Sequence, residues 1–501
     1  MMNNRQHPAL SSTMRILLLL CLLTLCISAA AFQPTPRIIY SNKAPPFNKS
    51  SKHHVLFLSN DHEVNETGGG SIAGASLLFA GTAVGAGMIA LPAETLTAGF
   101  VPSISGLSVC WLFTYVTSML TLEASWLACT QNDEEESGEN TGGGFLSISK
   151  MALGVPGEVI TASLFWFLLT AIVVAYTAEG GQLIAQVAKE VTDTTTISPT
   201  VGSFLFASCF ASFAIAGTSR VDIINRVFVL GLVATFIGIV MQISASISVS
   251  NLSHADWSAV YPAGISIGIL SFGAQNVVPT ILQYLNYDPE KTQKAILLGS
   301  LIPLFLYTIW EAVFLGIIDA STADSNSMEV ISFLGKTGGT TVTDLVELFS
   351  ICAIGSSMAG ASVSLVDFFV DAINLLSKDD PESKTEEMST VNKSNAVGAG
   401  TRTIAAVFAL APPFLISYAF PDVFLTALEE AGLLGGVSLY GILPALCLLS
   451  LRSADNSSET KAMPGRLGGG KATLFALLTI SSALVLPEIV HVGRVVAEKL
   501  H

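Results

Sequence analysis

The chain has 501 residues, of which 51% are apolar and only 12% are charged, and its formal net charge is −15. A soluble globular domain carries about 25% charged residues, so this composition is typical of an integral membrane protein. The acidic balance argues against a nucleic-acid partner. The cysteines and histidines have no metal-ligand spacing, and the sequence therefore predicts no metal site, no other cofactor and no disulfide framework.

The N-terminus has the composition of a targeting sequence. Arg5 and Arg15 precede a short apolar core that is followed by small residues, which predicts a signal peptide over 1–31. Residues 32–68 begin as a basic segment rich in Ser and Pro and are predicted to be disordered and transit-like. The junction at Ala31-Phe32 resembles the bipartite presequences of algal plastid proteins. A secretory signal followed by a disordered tail is the alternative.

Eleven apolar segments follow, each long enough to cross the roughly 30 Å hydrocarbon core of a bilayer as a helix. The alternating pattern of a membrane β-barrel is missing, so an all-α integral membrane protein is predicted. The predicted spans are 71–93, 99–128, 155–186, 199–218, 222–246, 258–284, 294–318, 341–376, 402–420, 423–450 and 472–493. The transporter domain would occupy 69–501, with 71–246 as a first repeat, 258–450 as a second and 472–493 as an extra helix.

Loop charge predicts the orientation of these spans. If the N-terminus lies on side A, the side-B loops and the C-terminal tail hold only Lys189, Lys336, Arg494 and Lys499. The basic residues assigned to side A are Lys150, Arg220, Arg226, Lys291, Lys294, Lys378, Lys384, Lys393, Arg402, Arg452, Lys461, Arg466 and Lys471. Side A is therefore predicted to be the cytoplasmic-type face, which in a plastid membrane is the stroma.

The first span of each repeat is predicted to be a broken helix. Span 1 contains Gly85 and Gly87 before Pro92, and span 6 contains Gly273 before Pro279. Glycine lets the backbone leave helical geometry, and proline lacks the N–H that a helix needs. A break exposes N–H groups, which suit a carboxylate, and carbonyl groups, which suit an ammonium group or a cation. An α-amino acid carries both groups, and paired broken spans indicate the binding site of a transporter.

Other interpretations of these glycines remain open. Gly81 and Gly85 have the spacing of a helix-packing face, and the two prolines could kink helices that are otherwise intact. The segment Gly85–Ala90 also matches a dinucleotide-binding fingerprint, but no strand precedes it and it lies within an apolar span, so that interpretation is rejected.

Five motifs occur along the apolar part of the chain, namely Ala80-Gly-Thr-Ala-Val-Gly-Ala-Gly-Met88, Ser271-Phe-Gly273, Tyr307-Thr-Ile-Trp310, Leu365-Val-Asp-Phe-Phe369 and Pro412-Pro413. Together they resemble the hydroxy/aromatic amino acid permease family, which includes bacterial tyrosine- and tryptophan-specific permeases. The resemblance covers about 71–492. It implies a LeuT-like fold, with a 5+5 inverted repeat, eleven transmembrane helices and broken helices 1 and 6. It also implies proton-coupled import of aromatic amino acids.

The breaks and the resemblance together define candidate substrate ligands. The candidates at the breaks are Gly85, Ala86, Gly87, Met88, Ser271, Phe272, Gly273 and Ala274. Among these, Phe272 is a candidate stacking platform or gate. On span 3, Tyr176 could donate a hydrogen bond to the substrate carboxylate, and filling a helix interface is its alternative role.

Carboxyl groups within apolar spans are candidates for ion coupling, because they are costly to place there. Glu179 and Glu311 lie deepest within their predicted spans and are the first candidates. The acid at Glu179 departs from the small residue that the resemblance implies. Glu123 and Asp367 also match the family pattern, although a structural hydrogen bond is the alternative role for each. No basic residue in the middle of a span is expected to pair with these carboxyl groups.

The sequence therefore predicts a secondary active transporter that carries tyrosine, tryptophan or another neutral amino acid by alternating access, driven by the proton motive force. A sodium-coupled transporter is one alternative, with Ser356 and Ser357 as candidate cation ligands. A non-transporting amino acid sensor of the same fold is another. The sequence contains no convergent set of catalytic residues, so an enzyme is not predicted. The predicted location is the plastid inner membrane, with the plasma membrane or another endomembrane as alternatives.

Overall fold

A computed structural model of the chain describes residues 70–132, 144–192, 197–216, 218–260, 263–318, 339–377, 399–454, 463, 467 and 470–500. Within these ranges the chain is helical, with short turns between helices. The predicted signal peptide at 1–31 and the transit-like segment at 32–68 lie outside the described residues.

The helices are bounded as follows. They are α1 Ile72–Ala83, α2 Gly87–Thr95, α3 Phe100–Asn132, α4 Phe145–Thr192, α5 Pro199–Ala216, α6 Thr218–Ile243, α7 Val249–Leu252, α8 Ala263–Ser271, α9 Val278–Tyr284, α10 Pro289–Ile317, α11 Thr340–Ser377, α12 Ala399–Ala419, α13 Phe424–Glu430, α14 Leu443–Ala454 and α15 Gly470–Leu500. Short 3₁₀ helices span Ser244–Ser246, Trp257–Ala259 and Gln275–Val277, and a π-helix spans Ala431–Ile442.

The described residues contain ten helical segments long and apolar enough to cross a membrane, and the bent pair of α1 and α2 raises the number to eleven. These eleven follow the order of the predicted segments, so the predicted span count is confirmed. Span 1 consists of α1 and α2, span 6 of α8 and α9 with the 3₁₀ turn between them, and span 7 of α10. Span 10 joins α13, the π-helix and α14.

The helices form two compact units. The first consists of 1–167, 252–315 and 432–501, and the second consists of 168–251 and 316–431. In the part of the chain that the structure describes, the first unit therefore contains spans 1, 2, 6, 7 and 11, and the second contains spans 4, 5, 8 and 9. Each unit draws spans from both predicted repeats.

Two features of the helices depart from the simple sequence pattern. At Gly154 the backbone has φ 71° and ψ −163°, a conformation essentially restricted to glycine, and α4 therefore bends there into a short leading helix and span 3. In span 10 the π-helix at Ala431–Ile442 interrupts the α-helical ladder, and such segments are often found at functional positions. Neither changes the predicted order of the spans.

Candidate substrate site at the broken helices

Span 1 is broken at the predicted glycines. The helix α1 ends at Ala83 and α2 begins at Gly87, and their axes differ by 56°. Between them, the Met88 N–H donates to the Gly85 carbonyl at 3.1 Å in a tight turn. Pro92 lies inside α2 and does not mark the break. The small residues alone therefore locate the interruption, because they permit the change of backbone direction.

Span 6 is interrupted at its predicted glycine as well, although among the described residues only span 1 consists of a sharply bent pair of helices. The helix α8 ends at Ser271, and the chain passes through Phe272 and Gly273 and a single 3₁₀ turn before α9 starts. Pro279 stands in the first turn of α9, where its missing N–H would have no helical acceptor in any case. Both predicted breaks are thus confirmed. In both spans, a half-helix whose last carbonyls lack helical donors is followed by one whose first N–H groups lack helical acceptors.

The two breaks touch each other at one close contact. A Cβ atom added to Gly87 would lie 2.4 Å from the Ser271 Oγ and 3.1 Å from the Ser271 Cβ. A larger residue at the start of α2 would therefore displace the Ser271 side chain. Three other candidate ligands at the breaks, Ala86, Met88 and Ala274, are fully buried. The predicted residues of spans 1 and 6 are thus brought together inside the first unit.

One face of span 7 holds both halves of span 1. The Tyr307 hydroxyl donates to the Ala83 carbonyl at 2.8 Å, at the end of α1. The Trp310 Nε1–H donates to the Met88 carbonyl at 2.7 Å, within α2. The Glu311 Oε2 accepts from the Thr95 hydroxyl at 2.7 Å, at the end of α2. Trp310 and Glu311 follow Tyr307 by three and four positions, so both lie on the same helix face as Tyr307. A single helix therefore contacts both sides of the break.

Three buried polar atoms near the breaks have no hydrogen-bond partner among the described residues. They are the Ser271 Oγ, the Gln275 Oε1 and the Glu311 Oε1. The Gln275 Nε2, by contrast, donates to the Thr117 Oγ1 of span 2 at 3.1 Å. Buried polar atoms normally find a partner, and an exception points to water, an ion or a ligand. Such atoms, together with free helix ends, suit a polar ligand.

The second unit contains the remaining candidates of spans 3 and 8. Tyr176 is buried, and its hydroxyl is hydrogen-bonded to the Ser357 side chain. The Ser356 hydroxyl donates to the Asn225 Oδ1 at 2.8 Å. The proposed cation ligands therefore each have a side-chain partner within this unit. Glu179 is also buried, one helical turn after Tyr176.

Two of the four coupling candidates are paired with arginines that lie at the ends of spans, a source of pairing that the prediction about mid-span basic residues did not consider. The Arg452 Nε and Nη2 donate to the two oxygens of Glu123 at 2.9 Å and 2.6 Å. The Arg402 Nη2 lies 2.9 Å from the Asp367 Oδ1. Both arginines come from the ends of distant spans, which a span-by-span assessment of the sequence does not bring together. The pairing favours a structural role for Glu123 and Asp367.

An apolar cavity of about 550 Å³ lies in the second unit, and its lining includes none of the predicted substrate ligands. Its lining includes Gly180, Phe206, Phe210, Phe228, Ile351 and Gly355. Almost no polar surface faces it, so it offers nothing to pair with the carboxylate and ammonium groups of an amino acid. The broken helices are the better candidate site.

Paired broken helices at corresponding positions of two repeats, with free helix ends beside buried polar atoms, define a secondary transporter of the membrane. The solved structure of MhsT in complex with L-phenylalanine is similar to this chain in its fold. It matches 83% of this chain and 97% of that chain with a TM-score of 0.52 at 13% identity. The chain therefore has the predicted LeuT-like fold.

The sequence profile of the tryptophan/tyrosine permease family matches residues 69–486, and the chain belongs to this family. The tryptophan-specific transport protein of Haemophilus influenzae is 25% identical, over 82% of this chain and 94% of its own length. The tyrosine-specific transport system 2 of the same organism is 24% identical, over 82% and 95%. Glutamine transporter 2 of Aliivibrio fischeri is 26% identical, over 82% and 98%. The family is one of permeases, in agreement with the expectation that the chain is not an enzyme.

Proposed function

We propose that this protein is a secondary active transporter that carries tyrosine, tryptophan or another neutral amino acid across a membrane by alternating access. The observation that carries the proposal is the contact between the two breaks, at Gly87 and Ser271. The N–H end of α2 is suited to the substrate carboxylate. The relatives named for tryptophan and tyrosine transport support an aromatic substrate.

Phe272 is the proposed contact for an aromatic substrate ring. It is buried at the span 6 break, with its ring centroid 5.2 Å from that of Tyr307. The aromatic ring of a substrate stacked against Phe272 would contribute about 0.5–1.5 kcal/mol to the binding free energy beyond simple burial. A neutral substrate without a ring, such as glutamine, would not gain this energy. Tyr176 remains a predicted donor to the substrate carboxylate.

The first experiment is uptake of labelled tyrosine, tryptophan and glutamine by the purified protein in liposomes. Saturable uptake of the aromatic substrates, lost when an imposed pH gradient is dissipated, is the expected result. Uptake that needs sodium and ignores the pH gradient would favour the sodium-coupled alternative. Binding without any flux would favour a sensor.

Glu311 is the proposed carrier of the coupling proton. Its side chain is fully buried, one oxygen accepts from Thr95 and the other has no hydrogen-bond partner in the described part of the chain. Among the described residues, no basic side chain forms an ion pair with it. An isolated carboxylate is far more expensive to bury than a neutral carboxylic acid. Gain and loss of a proton at Glu311 would therefore change the environment of α2 through Thr95.

A Glu311→Gln variant tests this role, because it keeps the shape of the side chain and removes the titration. We expect the variant to exchange labelled for unlabelled substrate and to lose accumulation driven by the pH gradient. Glu290→Gln, an exposed position at the start of the same helix, is the matched control and should accumulate substrate normally. Gradient-driven accumulation by Glu311→Gln would rule this residue out and leave Glu179 as the next candidate.

A plastid inner membrane is the proposed location. The support for it is the signal-like and transit-like composition of residues 1–68. Fusion of these residues to a fluorescent protein tests the proposal. Fluorescence in the plastid is expected, and fluorescence at the cell surface would contradict it.

A further inference from the structure

The carbonyl ends of the two broken helices converge on a single hydroxyl group. The Tyr307 hydroxyl lies 2.8 Å from the Ala83 carbonyl oxygen and 3.0 Å from the Ser271 carbonyl oxygen. Ala83 is the last residue of α1 and Ser271 is the last residue of α8. The single hydroxyl hydrogen is therefore shared by the ends of two half-helices that are far apart in sequence.

Such a convergence of carbonyl ends is a place where broken-helix transporters hold a cation. The last carbonyls of a helix have no helical donor and carry the negative end of the helix dipole. In discontinuous transporter helices, these ends coordinate the sodium ion or proton that drives transport. A hard cation such as calcium would need several oxygen ligands at about 2.3–2.6 Å. The partial negative charges of these two carbonyls therefore need a positively charged partner or a hydrogen-bond donor.

The tyrosine is firmly held at this point. Its side chain is fully buried, and its ring packs against Phe272, with centroids 5.2 Å apart. One turn further along the same helix face, Trp310 and Glu311 bind α2. Movement of the hydroxyl away from the carbonyls would require displacement of this packed face. A neutral donor therefore occupies the position between the two carbonyls.

We infer that the Tyr307 hydroxyl takes the place of a coupling cation at the junction of the two broken helices. This inference rests on the proposed transport function and deepens it. The hydroxyl gives the two carbonyl ends a donor that is permanently attached to the protein, so the junction assembles without sodium. Tyr307 is then a positioning residue, which holds the breaks in register, and the coupling charge is left to a different group.

The test compares three variants. Tyr307→Phe keeps the ring and removes the hydroxyl, whereas Tyr307→Ser removes the ring and leaves a small oxygen ligand beside an open space. Tyr418→Phe is the matched control, because it makes the same chemical change at an exposed tyrosine. For each purified protein, thermal melting is measured in sodium chloride and in choline chloride at equal concentration. Uptake of labelled tyrosine is measured in the same two salts.

The wild-type protein and the Tyr418→Phe control are expected to give the same melting temperature in both salts. Tyr307→Phe should melt at a lower temperature in both salts and lose about ten-fold or more in substrate affinity, because two buried carbonyls lose their donor. Tyr307→Ser should gain a rise in melting temperature that is specific to sodium, because a bound cation stabilises the folded state by mass action.

Two results would overturn the inference. One is a Tyr307→Phe variant that melts and transports as the Tyr418→Phe control does, because the hydroxyl would then hold nothing. The other is a folded Tyr307→Ser variant that melts identically in the two salts, because the vacated position would then not attract a cation. The melting measurements use no substrate. A failure of the proposed transport function would appear as absent uptake in the wild type, while the salt response of the variants would still decide the inference.

Discussion

Replacement of Gly87 by alanine is the sharpest test of the contact between the two breaks. The new Cβ would lie 2.4 Å from the Ser271 Oγ, which rotation about χ1 can move, and 3.1 Å from the Ser271 Cβ, which no rotation can move. An unfavourable rotamer costs about 0.5–1.5 kcal/mol, and overpacking of a core costs about 1–3 kcal/mol. We therefore expect Gly87→Ala to weaken the free energy of substrate binding by about 1–2 kcal/mol, equivalent to a roughly 5–30-fold loss of affinity.

A double-mutant cycle separates this contact from other effects. Ser271→Gly removes the two nearest atoms and leaves the Ser271 Cα at 3.4 Å from the new methyl group, which is an ordinary contact. The loss in Gly87→Ala should therefore be much smaller in the Ser271→Gly background, with a coupling energy of at least about 0.5 kcal/mol. Gly81→Ala is the control, because a Cβ at Gly81 meets nothing within 4 Å. Substrate binding to the four purified proteins of the cycle is the measurement, and additive losses would refute the reasoning.

Two further predictions concern stability, and thermal melting of the purified variants checks both. Arg452→Ala should destabilise the protein by about 3 kcal/mol, because it leaves the buried Glu123 carboxylate unpaired. Adding Glu123→Gln to this variant should recover most of the lost stability. Equal melting temperatures of the single and the double variant would contradict this explanation. Gly202→Ala should destabilise by about 1–3 kcal/mol, because the new Cβ would lie 2.2 Å from the Gly181 carbonyl oxygen, and backbone atoms cannot rotate away. Gly400→Ala, which meets nothing within 4 Å, should melt as the wild type does.

The spans and their breaks could be predicted because their signals are local. An apolar run long enough to cross a bilayer and a cluster of glycines are both read within one segment. The break in span 1 accordingly lies at Gly85 and its neighbours, as the sequence indicates. Pro92 gave a misleading signal, because a membrane helix tolerates proline when neighbouring groups satisfy the freed backbone. The π-helix of span 10 had no recognisable local signal, because its sequence is uniformly apolar and small.

The partners of the buried polar groups could not be predicted, because they are distant in sequence. Tyr307 and Ala83 are separated by 224 positions, and Arg452 and Glu123 by 329. Arg452 lies near the end of span 10 and has the sequence context of an ordinary loop-flanking residue. Only the packing of the first unit shows that its guanidinium group reaches Glu123. The sequence therefore singled out the carboxyl groups as candidates without distinguishing a structural ion pair from a titrating group.

The same distinction now separates the four coupling candidates by a physical criterion. A carboxylate with a bidentate arginine, as at Glu123, has its charge compensated, so proton uptake would sacrifice the ion pair. One oxygen of Glu311 accepts from the neutral Thr95 hydroxyl, and its other oxygen has no hydrogen-bond partner among the described residues. A proton bound to Glu311 would therefore neutralise a carboxylate charge that no arginine or lysine compensates in the described part of the chain. Because Glu311 lies one helical turn from Tyr307, the proposed coupling group and the group that holds the breaks share one face of span 7. A change at either position is therefore expected to affect α2 directly, which makes span 7 the first place to look for variants that separate binding from coupling.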